Sequence, residues 1–101
     1  MSAAAGIFEE YEVTKEVQRK IMDVMDKYRK LIADGCEVNH AMYENDIYDA
    51  FGGYEFALHH TPIIEYHFCE FIARAFMEDG RWEEVFPAIY GSFPKYGGKI
   101  N

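Results

Sequence analysis

Apolar positions recur at steps of three and four through Val17, Ile21, Val24, Met25, Tyr28, Leu31 and Ile32, which predicts an amphipathic helix over about residues 15–33. Thr14 precedes it as an N-cap, and Gly35 stands where a left-handed C-cap belongs. Its polar face sets Glu16 before Lys20, Asp23 before Lys27 and Asp26 before Lys30, each one turn apart, an order that supports an exposed helix. A second helix over about residues 39–51 follows from Asn39 as N-cap and from Tyr43, Ile47, Ala50 and Phe51 on one face, with Gly52-Gly53 as its stop. Thr61-Pro62 opens a third, over about residues 62–78. On its wheel His67, Glu70, Arg74 and Glu78 form a narrow polar strip, and the remaining circumference is almost wholly apolar. Such a helix lies either at the centre of a core or in an interface between copies of the chain. A fourth helix begins near Arg81, with Trp82, Val85 and Phe86 inward, and Pro87 either breaks it or opens a short helix ending at Tyr90-Gly91.

The intervals are less regular. Residues 1–6 and 94–101 read as loose ends. Residues 7–13 fit either a short helix or an extended lead-in. Tyr54, Phe56 and Leu58 alternate, so a small β-hairpin near 54–60 is the one rival to an all-helical reading. The expectation is a single all-α domain over residues 1–101, a compact bundle of about four helices with an irregular C-terminal tail.

Composition narrows the function classes. The chain has 101 residues, 50% of them hydrophobic and 28% charged, which is too apolar for a disordered protein. Acidic side chains outnumber basic ones 18 to 10, for a net charge of −8. That balance argues against direct nucleic-acid binding, which needs clustered Lys and Arg, and against docking on anionic membranes. The richest apolar run, Ile63 to Met77, is interrupted by Glu65, Glu70 and Arg74, so no membrane span is expected. The first residues carry neither a basic nor an apolar leader, which points to a cytoplasmic location. Cys36 and Cys69 do not make a disulfide framework and read as free thiols in a reducing setting, with a Cys36–Cys69 bridge or a shared metal as the alternatives.

The charge is unevenly placed. Lys15 to Lys30 holds six basic and three acidic side chains, whereas residues 31–93 hold twelve acids against Arg74 and Arg81 alone. Within the acidic part, residues 43–55 alternate carboxylates with tyrosines. Tyrosine supplies large contact area at low entropic cost, and neighbouring carboxylates steer a basic partner. Tyr43, Glu44, Asp46, Tyr48, Asp49, Tyr54 and Glu55 are therefore the candidate partner-binding residues. Their oxygens do not follow the spacing of an EF-hand calcium loop.

Metal and catalytic chemistry is thinly supported. Glu37, His40 and Glu44 share one helical face, but a di-iron carboxylate site needs a second Glu-x-x-His step that the chain lacks. Cys36 and His40 with His59, His60, His67 or Cys69 offer zinc-type donors without paired Cys-x-x-Cys spacing. Neither cysteine has an activating context, and Gly52-Gly53 and Gly97-Gly98 are isolated pairs, not a phosphate loop. No catalytic residue, cofactor or metal ligand is assigned. The reading is a non-enzymatic, acidic interaction protein, an inhibitor or immunity-type module that blocks a basic, nucleic-acid-acting protein. The alternatives are a self-associating accessory domain, dimeric through helix 62–78, and a His/Cys metal-binding protein.

Overall fold

The computed structural model describes residues 2–52 and 66–91, which form five helices and no strand. They are α1 (Ala3–Glu10), α2 (Lys15–Ala33), α3 (His40–Ala50), α4 (Tyr66–Glu78) and α5 (Val85–Tyr90). The fold is an all-α bundle, as the periodicity predicts. The rival hairpin near 54–60, the Thr61-Pro62 start, Glu65 and the tail 92–101 lie outside the described residues.

The two most completely marked helices are met closely. α2 runs over the predicted span, and Thr14 Oγ1 accepts from the Val17 amide at 3.2 Å. Ile21, Met25 and Tyr28 of its stripe are fully buried. α3 starts one residue later than expected, with Asn39 Oδ1 accepting from the Met42 amide at 2.9 Å. Pro87 neither breaks a helix nor opens one. It sits in the first turn of α5, where its missing N–H leaves no intrahelical bond unmade. Residues 81–84 form a turn ahead of that helix, not its first turn.

The N-terminal expectation is corrected. Residues 2–6 are not loose: Ser2 caps α1, and its Oγ accepts from the Ala5 amide at 3.0 Å. The cap is completed from the far end of the sequence. Asp79 Oδ1 and Oδ2 accept from the Ala3 and Ala4 amides at 2.7 and 3.0 Å. Burial opposes ionisation of Asp79, but the Ala4 and Ala3 amides, the Ser2 hydroxyl and nearby Arg81 together hold its carboxyl below the ordinary value of 3.8.

α4 is the centre of the bundle and packs against α1, α3 and α5, while α2 packs against α3 and α5. Phe68, Cys69, Ile72, Ala73 and Phe76 are buried to within 1%. Most of its described apolar side chains are thus buried within one chain. The open face runs through His67, Phe71, Arg74 and Glu78, with Arg74 Nε and Glu78 Oε2 paired at 3.4 Å. The predicted polar strip is therefore displaced. Glu70 is turned inward, only 3% exposed, while Phe71 is 39% exposed.

The ends of α1, α2 and α4 share one motif, with one departure in residue type. After α2 and α4 the chain makes paired reverse bonds, Cys36 to Leu31 and Gly35 to Ile32, then Arg81 to Phe76 and Gly80 to Met77. Each time the left-handed residue is glycine: Gly35 at φ 78° and Gly80 at φ 76°. α1 ends in the same motif, with Val13 to Phe8 and Glu12 to Glu9, but here the left-handed residue is Glu12 at φ 56°. A side chain in that region costs about 1–2 kcal/mol.

Two stability outcomes follow from these ends. Glu12→Gly is expected to raise unfolding stability by about 1 kcal/mol, since strain relief exceeds the added unfolded-state entropy. Urea unfolding measures it, and a loss of stability would contradict the motif. Asp79→Ala is expected to cost about 1–2 kcal/mol. Because the folded carboxyl is held low, its contribution is full above the ordinary value of 3.8 and disappears as pH falls below it. The variant and the wild type should therefore converge in stability on acidification.

Candidate functional site

The predicted acidic and tyrosine segment maps onto α3, whose Tyr43, Ile47 and Ala50 face the core. Tyr43 is fully buried and is not a surface residue, which corrects its assignment to partner binding. Its hydroxyl donates to the Cys69 carbonyl at 2.9 Å. Its ring meets Tyr28 and Tyr90 edge to face, at centroid distances of 5.6 and 6.1 Å. Tyr28 and Tyr90 come from α2 and α5, so three helices join at a cluster of phenols.

The carboxylates of α3 serve that cluster. Tyr28 donates to Asp46 Oδ2 at 2.7 Å, and the same oxygen accepts from Lys27 Nζ at 2.9 Å. Tyr90 donates to Glu44 Oε2 at 2.7 Å, while His40 Nδ1 lies 3.8 Å from Glu44 Oε1. A phenol buried in a core needs an acceptor, and an ionised carboxylate is a strong one. Burial comes first in raising all three phenols above their ordinary value of 10.0. The hydrogen bond to Asp46 adds to the effect on Tyr28, and that to Glu44 adds to it on Tyr90. Proximity of the Cys69 thiol and the Glu44 carboxylate raises Tyr43 further.

Of the other candidates, Tyr48 is half-buried and Asp49 is exposed, whereas Tyr54 and Glu55 lie outside the described residues. Asp46 and Asp49 do share one surface feature. Together with Asp23, Lys20 and Lys27 they line a groove of about 350 Å³ between α2 and α3. Two of the ion pairs expected along α2 are replaced there. Lys27 reaches across to Asp46, and Asp26 accepts from the Trp82 indole at 2.7 Å. Glu16 and Lys20 keep the expected spacing, at 3.9 Å.

The sequence reading missed Tyr28 and Tyr90 as members of this network. Tyr28 counted only as one of the apolar stripe and Tyr90 only as a helix end. The available signal was chemical: a tyrosine at an inward position must find an acceptor, and α3 carries the nearest surplus of carboxylates.

The described metal and thiol candidates do not converge. Among the described residues no three His, Cys, Asp or Glu side chains come together around a cation-sized space. His59 and His60 lie outside the described residues. Cys36 is exposed and Cys69 buried, both as free thiols, and burial holds the Cys69 thiol far above its ordinary value of 9.0. Cys69 is thus a neutral packing group and not a nucleophile. No described helix is long and apolar enough to cross a membrane.

Compared with protein-family models, curated proteins and solved structures, the chain matches none.

The phenol cluster fixes an alkaline signature. Folded Tyr28, Tyr43 and Tyr90 stay protonated where unfolded phenols ionise, so the unfolded state binds fewer protons above pH 10.0. Stability is therefore full below that pH and falls above it, by about 1.4 kcal/mol per pH unit for each phenol. Tyrosinate absorbance during alkaline titration should show these phenols ionising only together with loss of helix. Free titration near pH 10 in the folded state would refute their burial.

Proposed function

We infer that this protein is a small acidic interaction module that binds and blocks a basic protein partner, one whose cationic cleft is built for nucleic acid. The observation that carries this reading is the distribution of charge. The net charge is −8, and four of the eight described Lys and Arg side chains are already in ion pairs. Lys20 pairs with Glu16 at 3.9 Å, Lys27 with Asp46 at 2.9 Å, Arg29 with Glu84 at 2.9 Å and Arg74 with Glu78 at 3.4 Å. The exposed carboxylates of Glu9, Glu10, Glu12, Asp23, Asp49 and Glu83 have no ion pair among the described residues. A surface of that sign steers a cationic partner into encounter.

Within it, the α2–α3 groove is the favoured contact. Asp23 and Asp49 project from its two walls, and half-buried Tyr48 stands on the adjoining turn of α3. Glu44 and Asp46 contribute negative potential, but their oxygens also hold Tyr90 and Tyr28. Partner binding through this groove needs no metal or cofactor. A cytoplasmic setting suits the exposed thiol of Cys36. Self-association through α4 has weaker support, because Phe71 is the large apolar side chain that helix leaves exposed among the described residues.

The test is recovery of the tagged protein from its native host, followed by kinetics with the purified companion. A stoichiometric basic protein is expected at about 0.1 M salt and its release at about 1 M, as the screening length falls from about 10 to about 3 Å. Asp49→Lys should slow association by about tenfold and leave the unfolding midpoint unchanged. A complex indifferent to salt, or one that forms equally fast with Asp49→Lys and Asp23→Lys, would overturn the reading.

A further inference from the structure

The five helices are not held alike. α2, α3, α4 and α5 each pack against at least two others, whereas α1 takes its packing chiefly from α4. There Ala4 and Phe8 are buried, and Phe8 meets Phe76 edge to face at 6.0 Å. On the side of α2 the helix leaves an open cavity of about 630 Å³, to which Ala5 and Glu9 of α1 and Gln18 and Met22 of α2 contribute. α1 therefore has one packed face and one open one.

Its two ends are held by different means. At the start, Asp79 accepts from the Ala3 and Ala4 amides at 2.7 and 3.0 Å, so the first turn is clasped from beyond the end of α4. At the finish, the chain bends at Glu12, whose φ is 56°. The next residue already belongs with α2: Val13 is buried, and its carbonyl accepts from Gln18 Nε2 at 2.9 Å. The bend is thus confined to one strained residue, and leaving the closed form lets Glu12 return to ordinary backbone angles.

α1 has 8 residues, with Gly6 among them. Isolated helices shorter than about 12–15 residues are marginal in water, and an interior glycine weakens them further. Once off α4, α1 therefore unwinds as a whole. The other four helices do not depend on it. The cluster of Tyr28, Tyr43 and Tyr90 joins α2, α3 and α5, and reaches α4 through the Cys69 carbonyl, without using any group of α1.

We propose that α1 is a strap that opens as one unit about Glu12 while α2, α3, α4 and α5 stay folded, with Asp79 as its clasp. Opening lifts Phe8 from Phe76 and bares an apolar face of α4 that the closed form hides. The strap shares no residue with the α2–α3 groove, and its opening stands independently of the partner inferred there.

Native-state hydrogen exchange of the full chain separates opening of the strap from unfolding of the bundle. Relative to their intrinsic rates, the amides of residues 7–10 should exchange together and at least about tenfold faster than those of Ile72 and Ala73 in α4. Asp79→Ala should speed residues 7–10 by about tenfold, because the clasp exists only in the closed form. Tyr28→Phe removes the bond to Asp46 and weakens the bundle without touching the strap. It should speed Ile72 and Ala73 by about tenfold and leave residues 7–10 unchanged. Equal protection of the two sets, no response of residues 7–10 to Asp79→Ala, or equal acceleration of both sets by Tyr28→Phe would each overturn the proposal.

Discussion

Three phenols must be hydrogen-bonded inside a domain with little interior to spare, and much of the molecule follows from that need. Tyr28, Tyr43 and Tyr90 arrive from α2, α3 and α5 and meet edge to face. The ring contacts bring about 0.5–1.5 kcal/mol each beyond the area they bury. An unpartnered hydroxyl would cost about as much or more. Asp46, the Cys69 carbonyl and Glu44 are the acceptors that prevent it. The same bonds lock α3 between α2 and α5 and tie it to α4, so the register of four helices is set by where three oxygens find acceptors.

α1 stands outside that cluster and is held by a different device. Its N-terminal amides are satisfied by Asp79, whose bonds to them span 76 and 75 residues of sequence. A capping carboxylate complements both the open amides and the dipole of the helix. Because the cap comes from the end of α4, α1 is drawn along the central helix and away from α2. The two arrangements together, phenols gathering α2, α3 and α5 and a remote cap placing α1 on α4, leave an open cavity of about 630 Å³ between α1 and α2.

The sequence was legible where local signals agreed with one another. In α2 the stripe, the Thr14 cap and Gly35 all point to the same ends, and the helix has them. α3 shifts by a single residue for the same reason. It was illegible where a distant group decides. Ala3–Glu10 has a weak apolar pattern, and nothing local announces that Asp79 will cap it. Glu70 reads as part of a polar strip by the wheel, but it is only 3% exposed, with Oε1 at 3.9 Å from His67 Nδ1. The site was half legible for a related reason. Acids alternating with tyrosines do mark a place where the two interact, but alternation does not say whether they face a partner or each other. Tyr43 and the acceptors of Tyr28 and Tyr90 face inward, and Asp49 faces out.

This division sorts the carboxylates into two populations with different consequences. Asp26, Glu44, Asp46 and Asp79 each accept a bond from a part-buried indole, phenol or backbone amide, so removing any of them disturbs folding before it disturbs recognition. Glu9, Glu12, Asp23 and Asp49 are exposed and outside those bonds, and Glu12 even opposes the backbone conformation it occupies. Function and stability are therefore separable on this protein only through the second group. A loss of binding in an Asp46 or Glu44 variant reports the phenol cluster as readily as a contact. A loss in an Asp49 or Glu12 variant, with the fold unchanged or strengthened, has no structural route and must belong to the surface itself.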